Sequence, residues 1–193
     1  MARQLEFNRG EVLQRAMELF WEKGYEATSI NELLERTGIK RQSLYNTFGD
    51  KHALYLEALE RYRSGEGRVT ISPIFEQGPI RERLRRMYQN AIEEAFCDPA
   101  RKGCFIANAT LELGTRDKAT GDFISNNLAG SEELFTAVLT DAQVRGEIVE
   151  DRDPRALARH FINSLYGLRV LSKATQSREM LEDIADTALL VLD

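Results

Sequence analysis

Apolar side chains recur at the spacing of an α-helix along nearly the whole 193-residue chain. In the first such segment they share one helical face, at Val12, Leu13, Ala16, Met17 and Phe20. Only 4 prolines and 13 glycines are present to interrupt helices, and no stretch shows the strict alternation of apolar and polar residues that is typical of a strand. The pattern therefore predicts an all-α fold.

Glycine and proline divide this pattern into segments. Gly24 and Gly38 end two N-terminal helices, and the stretch 64–79 is predicted to be a loop that contains at most a short helical piece. Four or five further helices are expected after this loop. Among them are a long amphipathic helix over 117–145 and a helix that begins at Pro154.

Residues 28–54 carry the most informative local pattern. Ser29 is placed to cap a short helix, and Glu32, three residues later, completes the spacing of a capping box. Gly38 separates this helix from a second short one over about 40–46. Two short helices joined by a tight glycine-containing turn have the layout of a helix-turn-helix, whose second helix enters the major groove of DNA.

The polar side chains of the second helix suit contact with DNA. Lys40 and Arg41 can pair with phosphates or with guanine, Ser43 can pair with several bases, and Gln42 and Asn46 can each make two hydrogen bonds to adenine. The predicted DNA contacts are Thr28, Ser29, Lys40, Arg41, Gln42, Ser43, Tyr45, Asn46 and Lys51.

Two of these residues are predicted to contact phosphates. Tyr45 offers a hydroxyl, and Lys51 lies at the start of the next helix, where free backbone N–H groups also attract an anion. Leu44 and Phe48 are apolar and are expected to face inward, holding the second helix on its neighbours.

The formal net charge of −5 argues at first against a nucleic-acid partner. Residues 1–63, however, carry ten basic and ten acidic side chains, so the acidic excess belongs to the rest of the chain. Residues 36–49 include three basic side chains and no acidic one. A local basic face is compatible with specific DNA binding. On spacing alone, however, the same residues also fit the solvent-exposed face of an ordinary helical bundle.

The stretch ATSINELLERTGIKRQSLYNTFGDKHALYLEAL resembles the DNA-binding signature of the TetR family of bacterial regulators, and the close match covers roughly residues 9–60. Its most specific part is the spacing Y-x-x-F-x-x-K-x-x-L, formed by Tyr45, Phe48, Lys51 and Leu54. One departure is an acidic first helix, with Glu11, Glu18 and Glu22, which leaves the surface facing DNA less basic.

The resemblance implies a helix-turn-helix domain over residues 1–50 and a larger helical domain over 51–193, connected by a linking helix at about 50–64. The larger domain is expected to dimerise and to hold a small-molecule pocket. Binding of an inducer would then change the spacing of the two recognition helices and release a palindromic double-stranded operator. The sequence does not separate a repressor from an activator, and it does not name the inducer.

The resemblance also places the dimer interface on the last two helices, at about 154–175 and 178–192. Small side chains there would allow close approach of two subunits, or would pack within one chain: Ala158, Gly167, Ala185 and Ala188. The predicted pocket residues combine aromatic surface with a few polar groups: Cys104, Phe105, Asn108, Phe123, Tyr166 and Arg169.

The segment 102–114 (KGCFIANATLELG) resembles part of the ligand-binding domain of some TetR-like regulators. Because a cysteine in this region senses electrophiles or oxidants in a few relatives, one hypothesis makes Cys104 a sensor thiol with Cys97 as its resolving partner. The alternative is that Cys104 is an inert core thiol.

Other classes of protein find less support. The histidines His52 and His160 lack partners at metal-ligand spacing, and no nucleophile, phosphate-loop or dinucleotide motif occurs, so no enzyme, metal or cofactor is predicted. The N-terminus MARQLEFNRG lacks the apolar core of a signal peptide, no run is long enough to span a membrane, and two cysteines form no disulfide framework. A soluble cytoplasmic protein is therefore expected.

The alternative from another class is a helical adaptor that binds protein. In such an adaptor, neutralising Lys40 and Arg41 would have little effect on function.

Overall fold

The computed structural model describes residues 7–193. Residues 1–6, to which most of the N-terminal segment MARQLEFNRG belongs, lie outside the described part of the chain, and so does most of the signal-peptide prediction. Between residues 7 and 193 the fold is all-α without strands, as the apolar spacing predicts. The helices are α1 (Arg9–Lys23), α2 (Ile30–Thr37), α3 (Arg41–Phe48), α4 (Lys51–Ser64), α5 (Glu66–Ile71), a 3₁₀ helix (Ser72–Phe75), α6 (Ile80–Cys97), α7 (Phe105–Leu113), α8 (Lys118–Val144), α9 (Pro154–Leu171), α10 (Arg178–Leu189) and a final 3₁₀ turn (Leu190–Leu192).

A first hydrophobic core joins α1–α4 with α7 and the start of α8. Its centre is aromatic: the ring of Tyr55 stands edge-on to Phe20 at 5.1 Å between ring centroids and to Phe105 at 5.6 Å. The apolar stripe predicted for α1 faces this core, where Ala16 and Met17 are fully buried. Burial of one stripe on each short helix is what holds the N-terminal helices together, because helices of eight residues are not stable alone.

A second core fills the space between α6, α8, α9 and α10. Tyr88, Phe161 and Leu181 are fully buried at its centre. Helix α9 begins with Pro154 in its first turn, as predicted, and the Asp153 side chain caps it by accepting a hydrogen bond from the Arg155 N–H.

The stretch 64–79 is more helical than predicted. Helix α5 and the 3₁₀ helix that follows occupy most of it, because Thr70 and Ile74 are fully buried and tie the segment to the cores. The predicted boundary after residue 50 also does not coincide with a change of core. Helix α4 contributes Tyr55 and Tyr62 to the first core, so the linking helix packs with the N-terminal helices.

Three of the four small residues predicted for a dimer interface pack inside this chain instead. Ala158, Ala185 and Ala188 are buried within the second core, where they let α9 and α10 approach their neighbours closely. Gly167 alone of the four is exposed, and a Cβ built on it would meet nothing within 4 Å.

Candidate nucleic-acid interface and effector cavity

Helix α2 is fixed at both ends by its own sequence. At its start the Ser29 hydroxyl accepts a hydrogen bond from the Glu32 N–H (3.2 Å), and the Glu32 carboxylate accepts one from the Ser29 N–H (2.8 Å). This reciprocal pair confirms the predicted capping box. At its end Gly38 adopts the left-handed conformation (φ 74°), which glycine tolerates and a side chain disfavours. The turn into α3 therefore needs only residues 38–40.

Helix α3 lies on the first core through two apolar side chains. Leu44 is fully buried and Phe48 nearly so, and the guanidinium of Arg9 lies 4.9 Å from the centroid of the Phe48 ring. The inward orientation predicted for these two residues is confirmed. The opposite face of α3 and the residue before it are exposed, and they present Lys40, Arg41, Gln42, Tyr45 and Asn46.

Two hydrogen bonds order this exposed face. Arg41 donates from its guanidinium to the side-chain Oδ1 of Asn31 on α2 (2.7 Å), and Gln42 donates from Nε2 to Oδ1 of Asn46 one turn later (2.9 Å). The second bond leaves Oε1 of Gln42 as an acceptor and Nδ2 of Asn46 as a donor. Adenine offers the complementary donor and acceptor in the major groove.

The other predicted contacts differ in accessibility. Thr28 is fully buried, and its hydroxyl donates to the Gly24 carbonyl (2.6 Å), so its side chain is not part of a DNA-facing surface; this corrects the sequence prediction. Ser29 is exposed but engaged in the cap of α2, and Ser43 is half-buried. The role predicted for Lys51 stays a prediction: its ammonium lies 4.2 Å from the centroid of the Tyr25 ring, and partial burial lowers its pKa.

The carboxylate of Glu112 on α7 binds the turn between α1 and α2. Glu112 on α7 accepts hydrogen bonds from the backbone N–H of Tyr25 (3.0 Å) and of Glu26 (2.8 Å). The approach is so close that a Cβ on Gly24 would lie 2.8 Å from the Glu112 carboxylate. No spacing in the sequence indicates this contact, because its partners are more than 80 residues apart.

Two further contacts lie on either side of the Glu112 hydrogen bonds. The Trp21 indole on α1 donates to the Gly103 carbonyl just before α7 (3.0 Å), and Nε2 of His52 on α4 lies 2.9 Å from Oδ2 of Asp117, the cap of α8. Hydrogen bonds from Thr120 and from His52 lower the pKa of Asp117 to about 2, so this carboxylate is ionised at neutral pH. These contacts join the N-terminal helices to α7 and to the residues just before and after it.

A cavity of about 90 Å³ lies between α4, α5, α7, α8 and α9. Most of its wall is apolar and includes Ile71, Ile106, Phe135, Ile162 and Leu165. Its polar groups include Tyr62, Cys104, Asn127, Tyr166 and Arg169. A mainly apolar wall with a few polar groups is typical of a small-molecule site.

The cavity contains three of the six predicted pocket residues, namely Cys104, Tyr166 and Arg169. The other three lie elsewhere. Phe105 is buried in the aromatic centre of the first core, Asn108 donates to the Lys102 carbonyl (2.9 Å), and Phe123 packs against the first core. The error has one cause: neighbouring residues on a helix point in different directions, and the sequence does not show which direction meets the cavity.

Arg169, a buried arginine on the wall of the cavity, pairs with the half-buried Glu94. Its guanidinium donates to the hydroxyl of Thr70 (2.8 Å) and to the carboxylate of Glu94 (2.7 Å), and the same carboxylate accepts from Thr70 (2.7 Å). These contacts connect α9 with α5 and α6, and they balance the charge of the arginine locally.

The two cysteines are placed differently. Cys97 is exposed at the end of α6, whereas Cys104 is buried and caps α7, its sulfur accepting a hydrogen bond from the Ala107 N–H (3.5 Å). They line different cavities. The capping contact gives Cys104 a structural role, and its role as a sensor thiol stays a prediction.

Within residues 7–193, no three His, Cys, Asp or Glu side chains are grouped so that they could hold a metal ion. In the same range no helix combines the length and the apolar character needed to cross a membrane.

A helix-turn-helix on an all-α body, with a mainly apolar cavity in that body, defines a helix-turn-helix regulator. Comparison with known families agrees. Residues 12–58 match "Bacterial regulatory proteins, tetR family", and residues 81–188 match "Tetracyclin repressor-like, C-terminal domain". The chain belongs to the TetR family and is a DNA-binding transcriptional regulator. Its membership favours this function over the adaptor considered from the sequence, since the family is one of regulators.

Similar proteins span the whole chain. It is 36% identical over 195 residues to the uncharacterized HTH-type transcriptional regulator YezE of Bacillus subtilis (strain 168), covering 100% of both proteins. It is 32% identical to the HTH-type transcriptional repressor ComR of Escherichia coli (strain K12), over 95% of this chain and 88% of that protein. Among solved structures, a cysteine mutant of the TetR-family regulator CifR in complex with 26bp operator DNA is 30% identical, with a TM-score of 0.88 over 99% of this chain and 100% of that one.

Proposed function

We propose that this regulator is a repressor that binds a palindromic operator as a homodimer, with α3 of each subunit in the major groove, and that a small-molecule inducer in the cavity releases it. Its similarity to the repressor ComR and to CifR, which was solved with operator DNA, supports the proposal. The single observation that carries it is the exposed face of α3, with its ordered hydrogen-bonding side chains.

The residues of that face are proposed to contact different parts of the DNA. Lys40 and Arg41 lie at the N-terminal end of α3, where their charges meet phosphates or guanine. The Gln42–Asn46 pair presents one acceptor and one donor from adjacent turns, a pattern that adenine complements. Tyr45, 38% exposed, is positioned to offer its hydroxyl to the backbone of the DNA.

Helix α7 connects the cavity with the turn that positions α3, so a change at the cavity can reach α3 through it. Cys104 and Ile106 at its start line the cavity, while Glu112 at its end holds the turn between α1 and α2. An occupant that shifts α7 therefore shifts the turn that positions α2 and α3. Such an occupant releases DNA only if it binds the released conformation more tightly than the DNA-bound one.

The dimer is proposed to form along α9 and α10. A shallow groove between these helices is lined by His160, Ser164, Ile184 and Thr187, and Met180 and Leu190 are exposed nearby. A two-fold interface on this side is the symmetry that a palindromic operator requires.

Selection of bound fragments from the source genome with purified protein tests the proposal. The result expected is enrichment of a palindromic sequence, whose affinity falls steeply as salt is raised because phosphate contacts release counterions. Fragments enriched no more than random ones, with protein that was unfolded and refolded to remove any bound inducer, would contradict it.

A further inference from the structure

The side chain of Tyr62 ends in a hydroxyl that has no hydrogen-bond partner within residues 7–193. The residue is fully buried, and its ring is held edge-on against Trp21 at 4.9 Å and Phe105 at 5.9 Å between ring centroids. On another side Gly67 lies so close that a Cβ there would come within 3.1 Å of the ring. A buried hydroxyl is normally paired, so an unpaired one that cannot turn away calls for an explanation.

This hydroxyl belongs to the wall of the cavity. Tyr62 lines the cavity, and so do Arg169 and Cys104. The thiol of Cys104 is the neighbour that acts on this hydroxyl most directly, and a thiol is a weak hydrogen-bond partner, so the hydroxyl has no partner of good geometry. Burial raises the pKa of Tyr62 well above its ordinary value, so the hydroxyl keeps its proton at neutral pH and is a hydrogen-bond donor.

The cations of the cavity are already paired, and of its other polar groups Tyr166 accepts a hydrogen bond while its own O–H proton stays available as a second donor. Arg169 is paired with Glu94 and Thr70, and the hydroxyl of Tyr166 accepts a hydrogen bond from Nδ2 of Asn127 (3.3 Å). Arg63, which also lines the cavity, is paired with Glu60 at 2.7 Å. An anionic ligand would therefore find no unbalanced cation there, whereas an uncharged ligand needs none.

The volume restricts the ligand further. An apolar cavity of about 150 Å³ holds a benzene molecule, and this one measures about 90 Å³. On that scale the enclosed space holds roughly four non-hydrogen atoms, and because the cavity is partly open a molecule of about five or six can extend out of it.

We propose that the cavity takes a compact, uncharged and mainly apolar molecule that carries one acceptor oxygen, of the carbonyl or ether type, and that Tyr62 donates a hydrogen bond to this oxygen. The inference rests on the proposed function in treating the occupant as the inducer. Tyr62 lies in the last turns of α4, which begins at Lys51, with two residues between it and the end of α3. The ligand thus contacts both helices, α4 and α7, that support the helix-turn-helix.

Titrations with four probes of similar size test the proposal: butanone, tetrahydrofuran, cyclopentane and butyrate, followed by protein NMR. We expect butanone or tetrahydrofuran to bind more tightly than cyclopentane and butyrate. The variant Tyr62→Phe removes only the unpaired hydroxyl and should weaken that binding about threefold or more, without lowering thermal stability. Tyr55→Phe is the matched control, since it removes another buried, unpaired hydroxyl from the same aromatic cluster outside the cavity, and it should leave binding unchanged.

Several outcomes would overturn the proposal: no binding of either oxygen-bearing probe, tightest binding by butyrate, equal binding by cyclopentane, or equal losses in Tyr62→Phe and Tyr55→Phe. Loss of binding in Cys104→Ser with full binding in Tyr62→Phe would also overturn it, in favour of a thiol-dependent site. Operator affinity of the unliganded wild-type and Tyr62→Phe proteins is measured first. If neither binds an operator, the proposed function fails; if both do and no probe binds, only this inference fails.

Discussion

At the scale of single residues, Glu32 shows how closely the first helix of the motif depends on one side chain. Its carboxylate pairs with Lys23 and accepts hydrogen bonds from the backbone and hydroxyl of Ser29. The ion pair with Lys23 and the bonds from Ser29 together lower the pKa of Glu32 from 4.5 to about 2.

This depressed pKa predicts a pH dependence with a definite sign. Because the folded state favours the ionised carboxylate, its contribution is complete above pH 4.5 and is lost as the pH falls toward about 2. The difference in thermal midpoint between wild type and Glu32→Gln should therefore shrink between pH 5 and pH 2. Glu35→Gln, an exposed change on the same helix, should show no comparable trend; a difference for Glu32→Gln that is constant with pH would contradict the assignment.

Residues whose role depends on local sequence were the ones that could be predicted. The capping box of Ser29 and Glu32 and the inward faces of Leu44 and Phe48 follow from spacing along one helix. Thr28 was predicted wrongly, because one residue next to a helix start can face either the solvent or the core, and its hydroxyl turns back to Gly24.

At the scale of secondary structure, helix α7 connects the cavity with the helix-turn-helix. Glu112 accepts two backbone hydrogen bonds at the turn after α1, and bonds to a charged acceptor are about twice as strong as neutral ones. Its partners lie more than 80 residues away in the sequence, so only tertiary structure reveals the contact.

The variant Glu112→Ala should free the amides of Tyr25 and Glu26. We expect their hydrogen exchange to become about tenfold faster, since a charge-assisted hydrogen bond is worth roughly 1.5–3 kcal/mol. Glu133→Ala on the exposed side of α8 is the control and should leave both amides unchanged. Equal exchange in wild type and Glu112→Ala would show that the carboxylate does not hold this turn.

Helices with long apolar stripes, such as α6, α8 and α9, follow from periodicity, because a stripe must be buried somewhere. Periodicity does not show what a stripe is buried against. For that reason the sequence predicted less helix in 64–79 than the structure has, and it placed Phe105 and Phe123 in the cavity although they pack in or against the first core.

At the scale of the whole molecule, the proposed dimer depends on the side formed by α9 and α10. Thr187 is exposed in the groove between them, so Thr187→Arg should introduce a bulky charge into the interface. We expect light scattering to show a monomer at micromolar concentration and operator affinity to fall at least about tenfold, because half of the paired contacts are lost. Thr140→Arg on the exposed side of α8 should remain dimeric; a dimer in both variants would place the interface elsewhere.

The most direct test of operator recognition by α3 is a measurement of base preference. The affinities of wild type and Gln42→Ala are measured for an operator in which each base pair is changed in turn. We predict that Gln42→Ala loses discrimination at one position in each half-site, by about tenfold or more, since a good bidentate contact is worth roughly 1–3 kcal/mol. Gln89→Ala, a matched change on the exposed side of α6, should read every position as wild type does. If Gln42→Ala and Asn46→Ala both keep the wild-type preference at every position, α3 does not read the operator as proposed.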